Sequence, residues 1–392
     1  MLIYPPISTF FSGYLDPTQA PLTVWLNGGP GYSSLFGLFQ ENGPCHVDKN
    51  GNISSNPYSW SNVSNMLYID QPTQVGFSYS IPIPAYVDTH SEDIIELPDN
   101  KCPDYALSTC GTYSLPNISL TATSADTAAP SLWAALQGFM GAFPQYSQNQ
   151  FNLASESYGG QYGPIFSEYI ENQNAKNLTG ATNIPHNALL VGNGWFDSVI
   201  NYQSLYNFTV SPGNTYDYAP FNASLSSELY NDVYGPGNCM DQMKDCGIRA
   251  IDHICRAADE FCNDQIFGIY NTLRRDVYDI RELNSDPSPP DFFVDYLNTP
   301  VVQSAVGAFQ NYTIFSLAAF KAFDGTKIVG IGSVPYIKKL LGRGVTVVLY
   351  HGDADFICNW FAGEAVSVEV GGTWFSEAGY VNISTSDNIV HG

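Results

Sequence analysis

A chain of 392 residues is long enough to bury a large core, as one α/β domain carrying an insertion or as two domains. Its 37 acidic residues against 14 basic ones leave a net charge of −23, which argues against nucleic acid or an anionic membrane surface as a partner. Charged residues are scarce at 13 % beside 44 % hydrophobic, the balance of a well-packed globular protein; the acidity suits an acidic compartment, where self-repulsion falls, and serves solubility equally well.

The opening Met1-Leu-Ile-Tyr-Pro-Pro6 lacks the basic and long apolar regions of a signal peptide, and no stretch is long enough to span a membrane. Pro21–Leu26 reads as a buried strand running into Asn27-Gly-Gly-Pro-Gly31. That loop has neither G-K-[ST] nor G-x-G-x-x-G, so phosphate binding is disfavoured and the remaining use is to offer backbone N–H groups to an oxyanion. Ser33–Gln40 reads as a helix stopped by Glu41-Asn-Gly-Pro44. Met66–Ile69 is a second buried strand, leading to Asp70-Gln-Pro72 and a turn at Gly76–Tyr79. Residues 82–120, rich in Pro, Ser, Thr and Asp, read as an irregular loop tied by Cys102 and Cys110.

Ala128–Phe143 is predicted as a helix with Leu132, Leu136 and Met140 on its apolar side. Phe151–Ala154 follows as a strand, then the small-residue turn Ser155–Gly160, then a helix over Pro164–Asn172. Strand, sharp turn with a central Ser, and helix is the setting of a nucleophile elbow. Ser155 stands where that pattern has Gly, and an ordinary Ser-rich turn is the competing reading. Ala188–Val191 is a further strand ending at Gly192-Asn-Gly-Trp-Phe-Asp197. Residues 198–298 change to Tyr- and Asn-rich segments and are expected to form a mainly helical insertion or cap. Thr299–Phe309 resumes with a Pro-started helix, and the strand Val345–Tyr350 ends in His351–Trp360. The core is thus expected over 1–197 and 299–392. Alternating strands and helices imply a mostly parallel sheet flanked by helices, with ligands beyond the strand carboxyl ends, where the Asn27, Ser157 and Asp355 loops meet.

Cys239, Cys246, Cys255 and Cys262 look like disulfides closing short loops; zinc is the rival, although the spacings are not paired C-x-x-C. Sequons at Asn52, Asn62, Asn117, Asn177, Asn207, Asn222, Asn311 and Asn382 point, with the cysteines, to the secretory route.

Certain runs occur together in one order across nearly the whole chain: Trp25-Leu-Asn-Gly-Gly-Pro-Gly31, Glu41-Asn-Gly-Pro44, Tyr68-Ile-Asp-Gln-Pro72 with Val75–Tyr79, Glu156-Ser-Tyr-Gly-Gly160, Gly192-Asn-Gly194 and Gly352-Asp-Ala-Asp-Phe-Ile-Cys-Asn-Trp360. In this the chain resembles the serine carboxypeptidases of the α/β-hydrolase fold, most closely the fungal acid enzymes. The resemblance implies Ser157 as nucleophile and Asp355, rather than Asp353, as the residue that orients the base. It implies an oxyanion hole at the N–H groups of Gly29 and Tyr158, and a substrate-carboxylate site at Asn27, Gly28, Glu41 and Glu156. Cys358 would border the site. Two neighbouring carboxyls cannot both ionise cheaply, so the Glu pair would keep a proton and bind the substrate carboxylate best at acid pH. The substrate would be a peptide C-terminus, the location secreted or vacuolar, and no metal or cofactor is implied; oligomeric state is not.

Three departures stand out. Tyr32 replaces a Cys of many relatives, so that crosslink is absent. A sheet strand is missing between Gly13-Tyr-Leu-Asp16 and Pro21, which would leave a neighbour's edge unpaired. Finally, none of the six His residues sits in the family's Gly-His-x-Val-Pro motif; His351 reads as structural, and His391 lies closer to Asp355 than the family spacing allows. The triad is therefore expected to be incomplete here, the sequence stopping short of that segment. A non-catalytic binder of peptide C-termini and an acyltransferase on the same scaffold are the alternatives.

Overall fold

The computed structural model describes residues 8–11, 16–147, 149–210, 212–284, 290–324, 332–379, 381, 383–384 and 390–391. Gly13, Tyr14, Leu15 and the sequon residue Asn382 lie outside them.

Strands β1 (Ser8–Phe11) and β2 (Leu22–Leu26) are followed by a short hairpin, β3 (Cys45–Val47) with β4 (Ile53–Ser55), and then by β5 (Asn65–Ile69). Next come β6 (Pro82–Val87), β7 (Ile94–Glu96) and β8 (Cys110–Ser114), then β9 (Phe151–Ser157), β10 (His186–Gly194) and β11 (Thr346–Tyr350). The central sheet runs β1-β5-β2-β9-β10-β11. Every pair in it is parallel except β1 on β5, which runs antiparallel with Ser8 opposite Ile69. β5 is therefore paired on both flanks, the strand beside it coming from Ser8–Phe11.

β2 and β5 are buried along their whole length, which is why each reads as an apolar run and not as an alternating one. On one face Val24, Leu67, Leu153 and Leu189 meet helix α1 (Ala125–Ala142) and helix α2 (Gly159–Lys176). On the other, Trp25, Tyr68 and Ala154 pack on Leu35, Leu38 and Phe293. This is the expected α/β-hydrolase architecture, a mostly parallel sheet flanked by helices.

α1 starts three residues before the position expected, because Ser124 and Thr127 form a reciprocal capping box. α2 starts five residues before Pro164, directly after the elbow, so Pro164 lies inside the helix. Proline has no N–H for the carbonyl four residues back. Here that carbonyl belongs to Gly160, and it accepts a hydrogen bond from the hydroxyl of Ser333 at 2.5 Å.

Two expectations are corrected. Residues 82–120 are not an irregular loop throughout: β6 pairs antiparallel with both β7 and β8, and Cys102–Cys110 closes the turn before β8. Ser33–Gln40 is not a regular helix either; its final turn, Gly37–Glu41, is a π-turn in which Asn42 N–H reaches back to Gly37 O. Beyond β10, helices α3 (Ser198–Thr209), α4 (Ala223–Tyr234), α5 (Cys239–Arg249) and α6 (Asp252–Asn271) pack around a second core. Disulfides Cys239–Cys262 and Cys246–Cys255 tie α5 to α6, which uses all four cysteines and removes them as zinc ligands.

Candidate active site

β2, β9 and β11 run parallel, so the segments after Leu26, Ser157 and Tyr350 leave the same edge of the sheet. β9 ends at Ser157, whose φ is +58°. A non-glycine residue in that left-handed region marks local strain, and here it turns the chain sharply from strand into α2. Ser155, the departure from the usual elbow pattern, is fully buried and donates from its hydroxyl to Gly159 O at 2.9 Å, so its side chain ties the two arms of the turn together.

The Asn27–Gly31 loop folds against this turn. A Cβ on Gly28 would lie 2.4 Å from Tyr158 N, so only glycine allows the approach. Among the described residues neither Gly29 N–H nor Tyr158 N–H donates to a protein acceptor, which leaves both for a ligand beside Ser157. Buried Asp70 ties the segment that follows the loop to the Gly76–Tyr79 turn, accepting from Ser34 N at 3.1 Å and Phe77 N at 2.9 Å. Tyr32 packs its ring on Phe315 with centroids 4.9 Å apart.

Asn27 organises the carboxyl pair. Trp25 Nε1 donates to Asn27 Oδ1 at 2.9 Å, and Gly37 N donates to the same oxygen at 3.0 Å. The turn whose first N–H Asn27 accepts is the π-turn, a geometry common at functional sites. The widened turn brings Glu41 to Asn27 Nδ2, which donates to Glu41 Oε1 at 3.1 Å and reaches Glu156 Oε2 at 3.5 Å. Burial drives the Glu41 carboxyl well above its usual range, and the neighbouring Glu156 charge adds to this; burial raises Glu156 as well. The pair retains a proton where an isolated glutamate has lost its own.

Asp355 is buried, whereas Asp353 is exposed and accepts from the Tyr216 hydroxyl at 2.9 Å. Asn193 Nδ2 donates to Asp355 Oδ2 at 2.7 Å and the Cys358 N–H donates to Oδ1 at 3.0 Å. Asn193 sits at a register irregularity near the end of β10, with φ at +41°. The Gly192-Asn-Gly194 run was visible in the sequence, but its role as the clamp on Asp355 was missed. Desolvation pushes the Asp355 carboxyl up to about 7, against those two hydrogen bonds. The Cys358 thiol is buried, and burial, with the Asp355 charge beside it, pushes it up strongly.

Among the described residues no imidazole bonds to Ser157 or Asp355. His351 Nδ1 faces Cys358 O at 3.1 Å, His46 Nδ1 faces Phe39 O at 2.8 Å, and His186 lies 3.6 Å from Glu171. For His391 the backbone is described, as a two-residue strand pairing with Ile383.

A mostly parallel sheet with a strained serine elbow, a glycine-rich loop folded against it and a buried aspartate at its carboxyl edge defines an α/β hydrolase. The sequence profile of the serine carboxypeptidases matches residues 9–388, and the chain belongs to that family. It is 37 % identical over 412 residues to Carboxypeptidase S1 homolog A of Arthroderma otae, covering 97 % of this chain and 63 % of that one. It is 36 % identical over 363 residues to Carboxypeptidase S1 of Penicillium janthinellum, covering 91 % and 76 %. The crystal structure of Kex1(delta)p, a prohormone-processing carboxypeptidase from Saccharomyces cerevisiae, superposes with a TM-score of 0.68 at 22 % identity, over 93 % of this chain and 72 % of that one, and shows the shared fold. The chain spans 63 to 64 % of the length of the first relatives it matches.

Proposed function

We propose that this site acts on peptide C-termini, with Ser157 as nucleophile in an acyl-transfer reaction that releases the terminal residue. The observation that carries the reading is the Glu41–Asn27–Glu156 cluster next to the elbow. A carboxyl that keeps its proton is a donor suited to a free α-carboxylate, the group that distinguishes a chain end from an internal peptide bond, and Asn27 holds the two carboxyls together. Ser157 Oγ attacks the last peptide carbonyl, and the Gly29 and Tyr158 N–H groups stabilise the oxyanion; one such donor is worth roughly 10²–10³ in rate. The terminal amine leaves and water then hydrolyses the acyl-enzyme. Asp355, held by Asn193, is the group to orient an imidazole base.

Since no described side chain brings that imidazole to Asp355, a second reading also has support, in which the same cluster binds peptide C-termini without cleaving them. Three disulfides and exposed sequons such as Asn52, Asn177 and Asn222 support a secreted or vacuolar location. No described helix is long and apolar enough to cross a membrane.

The test is hydrolysis and binding of N-blocked dipeptides as free acids and as C-terminal amides, near pH 4.5 and 7, with and without free imidazole. Ser157→Ala is the blank. Free acids are expected to bind at least about tenfold more tightly than amides, as losing a charge-assisted hydrogen bond implies, and to do so best at acid pH. Ser157-dependent cleavage selects the enzymatic reading, with imidazole stimulation placing the base at Asp355. Binding of acids without cleavage selects the second. Equal binding of acids and amides overturns both.

A further inference from the structure

Away from the serine elbow, a cavity of about 250 Å³ is lined from β7, from β8 and from the segment Phe315–Lys321. None of Asn27, Glu41, Glu156, Ser157 and Asp355 lines it, so it stands apart from the site described above and from the reading proposed for that site. Its size falls below the roughly 300–1,000 Å³ of pockets that take drug-sized ligands, which points to a small occupant. Ile94, Ile118, Phe315 and Leu317 give it an apolar wall.

Three charged side chains share this cavity: Glu92 and Asp93, just before β7, and Lys321 from the short helix Leu317–Phe323. Among the described residues none of the three side chains enters a hydrogen bond or an ion pair, and the ion pairs that do form involve other residues. The lysine bridges to neither acid, so the cavity presents both signs of charge with space between them. Ser316 lines it too and is only 6 % exposed. Its Oγ accepts from Ala319 N at 3.2 Å, whereas its own proton has no acceptor among the described residues. A buried hydroxyl with an unspent donor costs free energy until something accepts from it. A surface charge without a partner is ordinary. Opposite charges around one cavity, beside a buried unspent donor and an apolar wall, form a recognition pattern.

We propose that this cavity is a binding site for a free α-amino acid with an apolar side chain. The ammonium faces Glu92 and Asp93, the carboxylate accepts from Lys321 Nζ and the Ser316 hydroxyl, and the side chain packs on Ile94, Ile118 and Leu317. Only a zwitterion meets both signs at once. A simple anion leaves the two carboxylates without a counter-ion, and a simple amine leaves the lysine and the serine proton unmet.

The same wall is joined to the glycine-rich loop of the active site. Ser316 N donates to Gly31 O at 2.9 Å, Ser33 N donates to Ile314 O at 2.9 Å, and Phe315 packs on Tyr32. An amino acid held in the cavity therefore rests on the segment that backs the loop. A free amino acid is also what the reaction proposed above releases, but the assignment follows from the charges around the cavity and stands without that reaction.

The experiment is calorimetric binding of L-leucine, N-acetyl-L-leucine and L-leucinamide to the unaltered protein near neutral pH. It is repeated with Lys321→Gln, with Glu92→Gln/Asp93→Asn and with Glu41→Gln. Leucine is expected to bind about threefold to fivefold more tightly than either analogue, since each analogue lacks one charge and forfeits a partly exposed ion pair. Lys321→Gln should weaken leucine by a similar factor and leave leucinamide, which has no carboxylate, unchanged. The double acid variant should weaken leucine and leave N-acetyl-leucine, which has no ammonium, no weaker than before. A loss of folding cannot produce that crossed pattern, and the comparison of the three ligands needs no variant at all. Glu41→Gln should leave the leucine affinity unchanged. Leucine binding lost in Glu41→Gln and kept in Lys321→Gln puts the amino acid at the catalytic carboxyl pair and overturns the proposal. Leucine bound no better than one of its analogues, or not bound by the unaltered protein, overturns it as well. The dipeptide acids and amides judge the carboxylate reading separately, so either proposal can fail without the other.

Discussion

A carboxyl pair that shares a proton beside a serine sets the pH range of anything that binds there. Glu41 and Glu156 are both raised by burial, so the protonated, donating form prevails at acid pH and is lost as pH rises through the raised value. For a substrate carboxylate the sign follows directly: affinity is highest below that value and falls above it. Glu41→Gln substitutes an amide donor that does not titrate. Its expected effect is to flatten the pH dependence of peptide-acid affinity, from a change of about tenfold or more between pH 4.5 and 7 to roughly threefold or less, one unit of raised pKa corresponding to about 1.4 kcal/mol. The measurement is Kd against pH for the free acid, with the amide as control. A profile as steep in Glu41→Gln as in the parent protein removes the pair from carboxylate recognition. The same reasoning applies to Asn193. Asn193→Leu leaves the buried Asp355 with only the Cys358 N–H, so its carboxyl, already at about 7, is expected to rise further and its loop to lose order. Ser157-dependent turnover with imidazole present should fall about tenfold or more, and turnover at the parental level would show that Asn193 is dispensable.

At the scale of elements, one hydroxyl satisfies the carbonyl that Pro164 leaves open in α2. Pro164 frees the Gly160 carbonyl and the fully buried Ser333 satisfies it, while Ser333 N–H donates to Phe196 O at 2.7 Å. Ser333→Ala orphans a buried acceptor and is expected to cost about 1–3 kcal/mol. Pro164→Ala restores an N–H that closes the helix bond to Gly160, so in that background the Ser333→Ala penalty should shrink by about 1 kcal/mol. Urea unfolding of the four proteins reads the coupling; strictly additive losses would mean that the two residues do not share Gly160. This pair also shows where sequence reading stops. β2, β5, β9, β10 and β11 were legible because strands buried on both faces read as apolar runs. The sheet of β6, β7 and β8 was not, because its strands are short, carry prolines at residues 82 and 84, and pair across long polar connections. Likewise the chemical run Asn27–Gly31, the elbow at Ser157 and the Asp355 loop could be found as motifs. The π-turn at Gly37–Glu41, the Asn193 clamp and the Ser333 bond could not, since each is defined by a neighbour distant in sequence.

For the whole molecule the acid excess and the buried acids act in the same direction. Asp70 is pushed up to about 6 and Asp355 to about 7, in both cases mainly by burial. A carboxyl whose folded value lies above its unfolded one binds its proton more tightly in the native state, so the stability it contributes is full below about pH 4 and is lost as pH climbs through 6 and 7. Several surface acids have the opposite sign: Asp16, Asp48 and Asp88 are lowered by local hydrogen bonds. They are solvent-exposed and screened, so the buried pair dominates. A net charge of −23 adds self-repulsion that also grows with pH. Stability is therefore expected to rise as pH falls from 7.5 to 5, by a few kcal/mol at most, which corresponds to roughly 5 °C in Tm for a chain of this size. Two controls separate the contributions. Raising the salt at pH 7.5 should recover the part due to surface repulsion and leave the buried part, because short-range buried terms are weakly screened. Asp355→Asn, neutral at every pH, should flatten the profile above pH 6 with salt held constant. A Tm that climbs from pH 5 to 7.5 would show that the lowered surface acids outweigh the buried ones, and that the acidic composition is not an adaptation of this fold to low pH.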